Sequence, residues 1–259
     1  MTIIDGNYGV LFSYWLTGVK SFIQEPVFVL VADEDGERWR SVCRDEAVGW
    51  IEAYDRHELS GESTHHATAK KCFLFDYLPA EVESILFLDV DALVVSPINV
   101  EGYFAKAETG RLLLVVDYYV GYKEKLEQEM QMFDPEFQMK FFDDGRYFYF
   151  NTGVFFVGRD SRVFFRRVYR DWVSYYHQTG QLPSIYDQNI LNYGMIKYGQ
   201  SIEELPTTMN CLRQYQYTIQ WPRILLGEKQ VQIIHFNGGT PDLKLERMQP
   251  FVVNVLGKG

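Results

Sequence analysis

Ile85-Leu-Phe-Leu-Asp89-Val-Asp91-Ala-Leu-Val-Val95 sets two carboxylates, spaced i and i+2, between one apolar run and the next. Charge among such neighbours is costly unless a cation or hydrogen-bond donors compensate it, and a hard divalent metal does so. The run before Asp89 reads as a buried strand, because every position from Ile85 to Leu88 is apolar. Val27-Phe-Val-Leu-Val-Ala32 and Leu112 to Val116 repeat that pattern, Phe148 to Val157 holds one or two more strands, and Val231-Gln-Ile-Ile-His-Phe236 is a late one. Helical spacing fills the intervals. Val10, Leu11, Tyr14, Gly18, Val19 and Phe22 recur before Pro26. Ala69, Phe73, Leu74 and Tyr77 share one side of a stretch from Thr64 to Leu78, which Pro79 stops. Phe165, Val168, Tyr169, Trp172 and Tyr176 mark a helix with a basic outer face, and Tyr186 to Tyr198 reads as another. Apolar strands alternating with amphipathic helices predict an α/β fold, with a mostly parallel central sheet covered by helices on both faces. With no internal repeat or Pro/Gly/Ser-rich linker, residues 1–259 read as a single domain in which the region after Asn210 is a return segment.

Composition narrows the function. The 259 residues are 47% hydrophobic, enough for a sizeable core, and carry a formal net charge of −10. No Lys/Arg run exceeds the pairs Lys70-Lys71 and Arg166-Arg167, so no basic stripe is available for a nucleic acid. The longest apolar runs fall far short of the roughly 20 residues that cross a bilayer. Met1-Thr-Ile-Ile-Asp5 lacks the form of a signal peptide, and the expectation is a soluble, cytoplasmic protein without a membrane span. Cys43, Cys72 and Cys211 are too few and too scattered for a zinc knuckle or a disulfide framework.

In folds of this class ligands gather at the carboxyl ends of strands, so residues directly after each apolar run carry the most information. Asp33-Glu-Asp35 is such a case, but it leads into Gly36-Glu-Arg and reads as a solvated acidic loop. Asp89-Val-Asp91 also fits the nucleophile strand of haloacid-dehalogenase-type phosphatases. Against that, Leu93 stands where their pattern has Thr or Val, and a later Gly-Asp-x-x-x-Asp is missing. Three further blocks follow in order: Phe150-Asn151-Thr-Gly153-Val, Tyr186-Asp187-Gln188-Asn189-Ile-Leu-Asn192, and His235-Phe-Asn-Gly238-Gly239.

With strand–Asp-x-Asp these four blocks resemble the retaining nucleotide-sugar glycosyltransferases of family eight, the group of glycogenin and bacterial lipopolysaccharide galactosyltransferases. The resemblance runs from about Thr68 to Gly239 and implies a GT-A fold. It implies transfer of a hexose, from UDP-glucose or UDP-galactose, to a glycan or other hydroxyl acceptor with retention. Asp89, Asp91 and His235 would hold Mn²⁺ or Mg²⁺, the tripeptide through Val90 would also meet the nucleotide, and Gly238 would allow close backbone approach to phosphate. Lys70, or Lys71 in a shifted alignment, would reach donor sugar or phosphate. Lys244, nine residues after His235 where the family lysine stands about six after, would neutralise the leaving diphosphate. Asn151, Asp187 and Gln188 would line the donor sugar and acceptor, with Asp187 alternatively a helix N-cap. Asn7 and Tyr8 would meet the base, or form a plain turn. A sugar-nucleotide or glycan binding protein that kept the fold and lost turnover is the alternative of a different class.

Overall fold

Residues 1–43, 47–54, 66–117, 119–212, 231–254 and 257 are described by a computed structural model. In chain order its strands are β1 (Thr2–Ile4), β2 (Val27–Val31), β3 (Val48–Glu52), β4 (Ser84–Leu88), β5 (Ala92–Val94), β6 (Leu112–Val116), β7 (Phe150–Gly158), β8 (Ile202–Glu204) and β9 (Ile233–His235). The helices are α1 (Phe12–Phe22), α2 (Glu37–Val42), α3 (His66–Ala69), α4 (Leu74–Tyr77), α5 (Val100–Ala107), α6 (Val120–Phe133), α7 (Arg162–Thr179), α8 (Tyr186–Lys197) and a last helix, Pro241–Asn254. Two compact units share them: Met1–Tyr54, Leu86–Gly102 and Pro206–Gly259 form one, Asp55–Ile85 and Tyr103–Leu205 the other.

In the first unit β1, β2 and β3 form a parallel sheet with β2 in the middle, Ile4 opposite Val31 and Val31 opposite Glu52. α1 buries Phe12, Trp15, Leu16 and Val19 and closes at Ile23, just before Pro26. Gly18 lets it sit tightly on β5, since a Cβ there would lie 2.6 Å from the Val94 carbonyl oxygen. β5 runs antiparallel to β9, with Ala92 opposite His235 and Val94 opposite Ile233. That pairing positions the candidate metal centre.

In the second unit β6 is antiparallel to β7 and parallel to β8. The β6–β7 register jumps from Leu114↔Phe155 to Val115↔Asn151, which puts Thr152, Gly153 and Val154 inside an irregularity. The expected mostly parallel sheet is thus corrected to a partly parallel one. A strand buried on both faces is apolar throughout whichever way its neighbour runs, so composition does not encode direction. The helix expected from Thr64 to Leu78 is interrupted: α3 and α4 flank a 3₁₀ turn at Lys70–Phe73, and Thr64 lies outside the described residues. The return segment after Asn210 is described only to 212 and again from 231.

Candidate functional site

β4 delivers its carboxyl end to Asp89, and a tight turn, Ala92 N–H donating to Asp89 O at 2.8 Å, starts β5. The β5–β9 pairing then lays His235 beside that turn, closed by Phe236 N–H donating to Asp91 O at 2.9 Å. His235 Nε2 stands 3.2 Å from Asp91 Oδ1 and 3.9 Å from Asp89 Oδ2. One ligand atom from each of the three residues lies within 4.8 Å of the others. Asp91 and His235 are buried, while Asp89 is half-buried. On the far side of the imidazole, Nδ1 lies 3.1 Å from Asn210 Oδ1.

Lys244 completes the cluster from the first turn of the last helix, its ammonium 2.5 Å from Asp91 Oδ2 and 4.8 Å from the centre of the Tyr8 ring. The additional residues Thr240-Pro241-Asp242 are the start of that helix, so the longer gap after His235 still returns the lysine to Asp91. Burial opposes ionisation of Asp91, but His235 and Lys244 outweigh it and hold its carboxyl far below the usual carboxylate range. For Lys244 burial again opposes the charge, and Asp91 overrides it, raising the lysine above its ordinary value.

The ligand set suits a hard or borderline cation: two carboxylates and one imidazole nitrogen, with Asn210 Oδ1 beside the ring's other nitrogen. Lys244 compensates Asp91 Oδ2, while Oδ1, the Asp89 carboxylate and His235 Nε2 turn toward one space that suits a cation. Gly238 and Gly239, just past β9, have φ of 75° and 94°, a left-handed conformation that glycine adopts without strain. Asn7 and Tyr8 lie on a turn capped by Asp5, whose Oδ1 accepts from both backbone amides at 2.9 and 2.7 Å. Asp33 differs from the expected solvated loop: its carboxylate accepts from Gly6 and Gly36 amides, pinning the ends of β1 and β2, while Glu34 and Asp35 are exposed.

A second polar cluster lies in the second unit. Asp187, at the head of α8, accepts from Lys71 at 2.8 Å and from Thr152 Oγ1 at 3.0 Å, and Lys71 also donates to Thr152 O. Asn151 donates to Gln188 Oε1 at 2.9 Å, and Gln188 donates to Asp117 Oδ2 at 3.1 Å. Asn192, one turn along α8, grips both backbone groups of Phe150 and so fixes β7 against that helix. Of the two adjacent lysines, Lys71 meets Asp187, whereas Lys70 donates to Tyr77 Oη at 3.1 Å. Tyr186, with φ of 38°, is the only non-glycine with positive φ among the described residues and directly precedes Asp187. Such backbone strain persists where surrounding packing over-determines it.

Asp117 and Asn210 escape the sequence reading. Asp117 directly follows the apolar run Leu112 to Val116, so the rule applied to Asp89 would have found it. Nothing in the sequence around Asn210 distinguishes it from a turn residue.

A family model described as glycosyl transferase family 8 matches residues 29–241. No curated protein matches the chain. Among solved structures, mouse xyloside xylosyltransferase 1 in its apo form is similar at 15% identity and a TM-score of 0.60, over 93% of this chain and 97% of that one. The apo structure of the bifunctional glycosyltransferase WbbM is similar at 15% identity and a TM-score of 0.61, over 98% of this chain but 48% of that one, so the chain spans about half of WbbM. At such identity the likeness shows the fold, a GT-A-like α/β architecture. No helix among the described residues is long and apolar enough to cross a membrane. The chain belongs to glycosyl transferase family 8 and is classed by it as a glycosyltransferase.

Proposed function

We propose that this protein transfers a hexose from a UDP-sugar, glucose or galactose, to a hydroxyl of a glycan or other acceptor, with retention at the anomeric carbon. The observation that carries the reading is the convergence of Asp89, Asp91 and His235 in a chain of this family. These residues would hold a divalent cation, Mn²⁺ or Mg²⁺, which when bound supplies positive charge to the departing diphosphate. Lys244 is suited to add to that charge, since its ammonium is already held beside Asp91. Gly238 leaves room for phosphate oxygens, Val90 lies between the two carboxylates, and Asn7 and Tyr8 would meet the base.

Asp187, Gln188 and Asn151 would orient the donor sugar and the incoming hydroxyl. Their network pairs donor with acceptor, so a sugar hydroxyl can replace one partner without stranding the other. Gln188 is a poor nucleophile, and Asp187 is neutralised by Lys71, which favours attack of the acceptor on the same face as the leaving group. Lys70 would reach donor sugar or phosphate in the unshifted alignment, and Lys71, which meets Asp187, in the shifted one. We read residues 1–259 as one catalytic domain acting in the cytoplasm. The family match crosses both units, and none of the three cysteines is in a disulfide.

Screening UDP- and GDP-sugars for Mn²⁺-dependent hydrolysis and thermal stabilisation tests the proposal. Hydrolysis of a UDP-hexose that stops with chelator supports it. Tight binding of the sugar nucleotide with no turnover, with or without acceptor glycans, would instead make the chain a binding protein.

A further inference from the structure

A histidine ligates a cation through whichever ring nitrogen keeps its lone pair, and the hydrogen bond at the other nitrogen decides which one that is. In His235 the nitrogen turned toward Asp89 and Asp91 is Nε2, and Nδ1 meets the side-chain oxygen of Asn210 at 3.1 Å. A carboxamide oxygen only accepts, so Nδ1 carries the hydrogen. Nε2, which faces the two carboxylates, donates to Asp91 when it carries a proton and offers its lone pair to a cation when it does not.

Backbone bonds keep Asn210 in place. Its N–H donates to Thr207 O at 3.3 Å, Cys211 N–H donates to Ile233 O at 2.9 Å, and His235 N–H donates to Cys211 O at 3.1 Å. Asn210 and His235 therefore sit on two segments stitched together on either side of the contact, and both side chains are buried. Burial and these backbone bonds keep the Asn210 amide beside Nδ1, with Oδ1 as the atom that meets the ring.

We propose that Asn210 is a positioning residue that fixes His235 in the Nδ1–H tautomer and aims Nε2 at the space shared with Asp89 and Asp91. The inference rests on reading those three residues as a cation site. Asparagine supplies the acceptor without adding a further negative charge to a cluster that already holds two carboxylates.

The first test is long-range ¹H–¹⁵N correlation on ¹⁵N-labelled, metal-free wild-type protein at pH 8, with the His235 signals assigned by their loss in His235→Gln. The expected pattern is a hydrogen on Nδ1, and an Nδ1 without one would overturn the proposal. Mn²⁺ affinity, read from the free-ion signal in electron paramagnetic resonance, is then compared across variants. Asn210→Leu, which removes the acceptor, is expected to lose about 10- to 100-fold in affinity. Asn210→Asp, which keeps an acceptor oxygen, is expected to retain the Nδ1–H pattern and most of the binding. Should Asn210→Leu fail to fold, Asn210→Ser replaces it, with a partial loss expected. Wild-type affinity in the acceptor-free variant, with His235→Gln weakened, overturns the role of Asn210 alone. Equal binding by His235→Gln and wild type overturns the cation reading itself.

Discussion

Asp91 and Asp187 are both buried carboxylates in contact with a lysine, Lys244 at 2.5 Å and Lys71 at 2.8 Å, yet the rest of their surroundings differ. Around Asp91 possible ligand atoms converge: Asp89, the second Asp91 oxygen and His235 Nε2 lie within 4.8 Å of one another. Around Asp187 donors alternate with acceptors, from Lys71 and Thr152 on its own oxygen to the chain Asn151, Gln188 and Asp117 beside it. The first arrangement gathers possible ligand atoms of three residues around one space and suits an ion. The second is complete as it stands and suits a ligand whose hydroxyls exchange with existing bonds.

The largest test of that contrast is Asp91→Asn against Asp187→Asn. Removing Asp91's charge is expected to lower metal-dependent UDP-sugar hydrolysis by about 1,000-fold or more, equivalent to about 4 kcal/mol. Mn²⁺ binding should fall with it. Asp187→Asn should also reduce turnover but leave Mn²⁺ affinity unchanged, as calorimetric titration would show. Equal loss of metal affinity in both variants would erase the distinction.

Stability gives the next test. Asp187→Ala removes the carboxylate paired with the buried Lys71 ammonium, which keeps the Thr152 carbonyl, and is expected to cost about 3 kcal/mol in urea unfolding. Adding Lys71→Met should recover part of that loss, because the pair then leaves together. A smaller effect lies in pH dependence without metal. Asp91 is held below its unfolded value, so its contribution is present above about pH 4 and fades as acid protonates it. Lys244 is held above its unfolded value, so its contribution is present below about pH 10 and fades as base removes the proton. Lys244→Met should therefore flatten the fall in urea midpoint between about pH 5 and 2. Gly238→Ala should have the least effect, about 1–2 kcal/mol of left-handed strain with Mn²⁺ affinity kept.

How far the chain could be read in advance follows the same division. Asp89, Asp91 and His235 stand at ends of apolar runs, where charge is conspicuous, and the four ordered blocks identified their context. The short strands were harder. β5 merges with β4 into one apolar stretch broken only by Asp89-Val-Asp91, and β3 mixes Gly, Trp and Glu in a sequence without alternation. α6, Val-Gly-Tyr-Lys-Glu-Lys-Leu-Glu-Gln-Glu-Met-Gln-Met-Phe, is too polar to announce an apolar stripe, although its buried Leu126 and Met130 are spaced one turn apart. Strand direction was illegible for β7, since both of its faces are buried. Asn210 needed the fold: its significance arises from the parallel bridge between Cys211 and Ile234, which brings it to the back of a histidine 25 residues away.

Anomalous scattering from a Mn²⁺-soaked crystal would test the central claim most directly. One peak is expected within about 2.0–2.6 Å of oxygens from Asp89 and Asp91 and of His235 Nε2, absent in Asp91→Asn. A peak bound elsewhere, with no density among these three side chains, would contradict it.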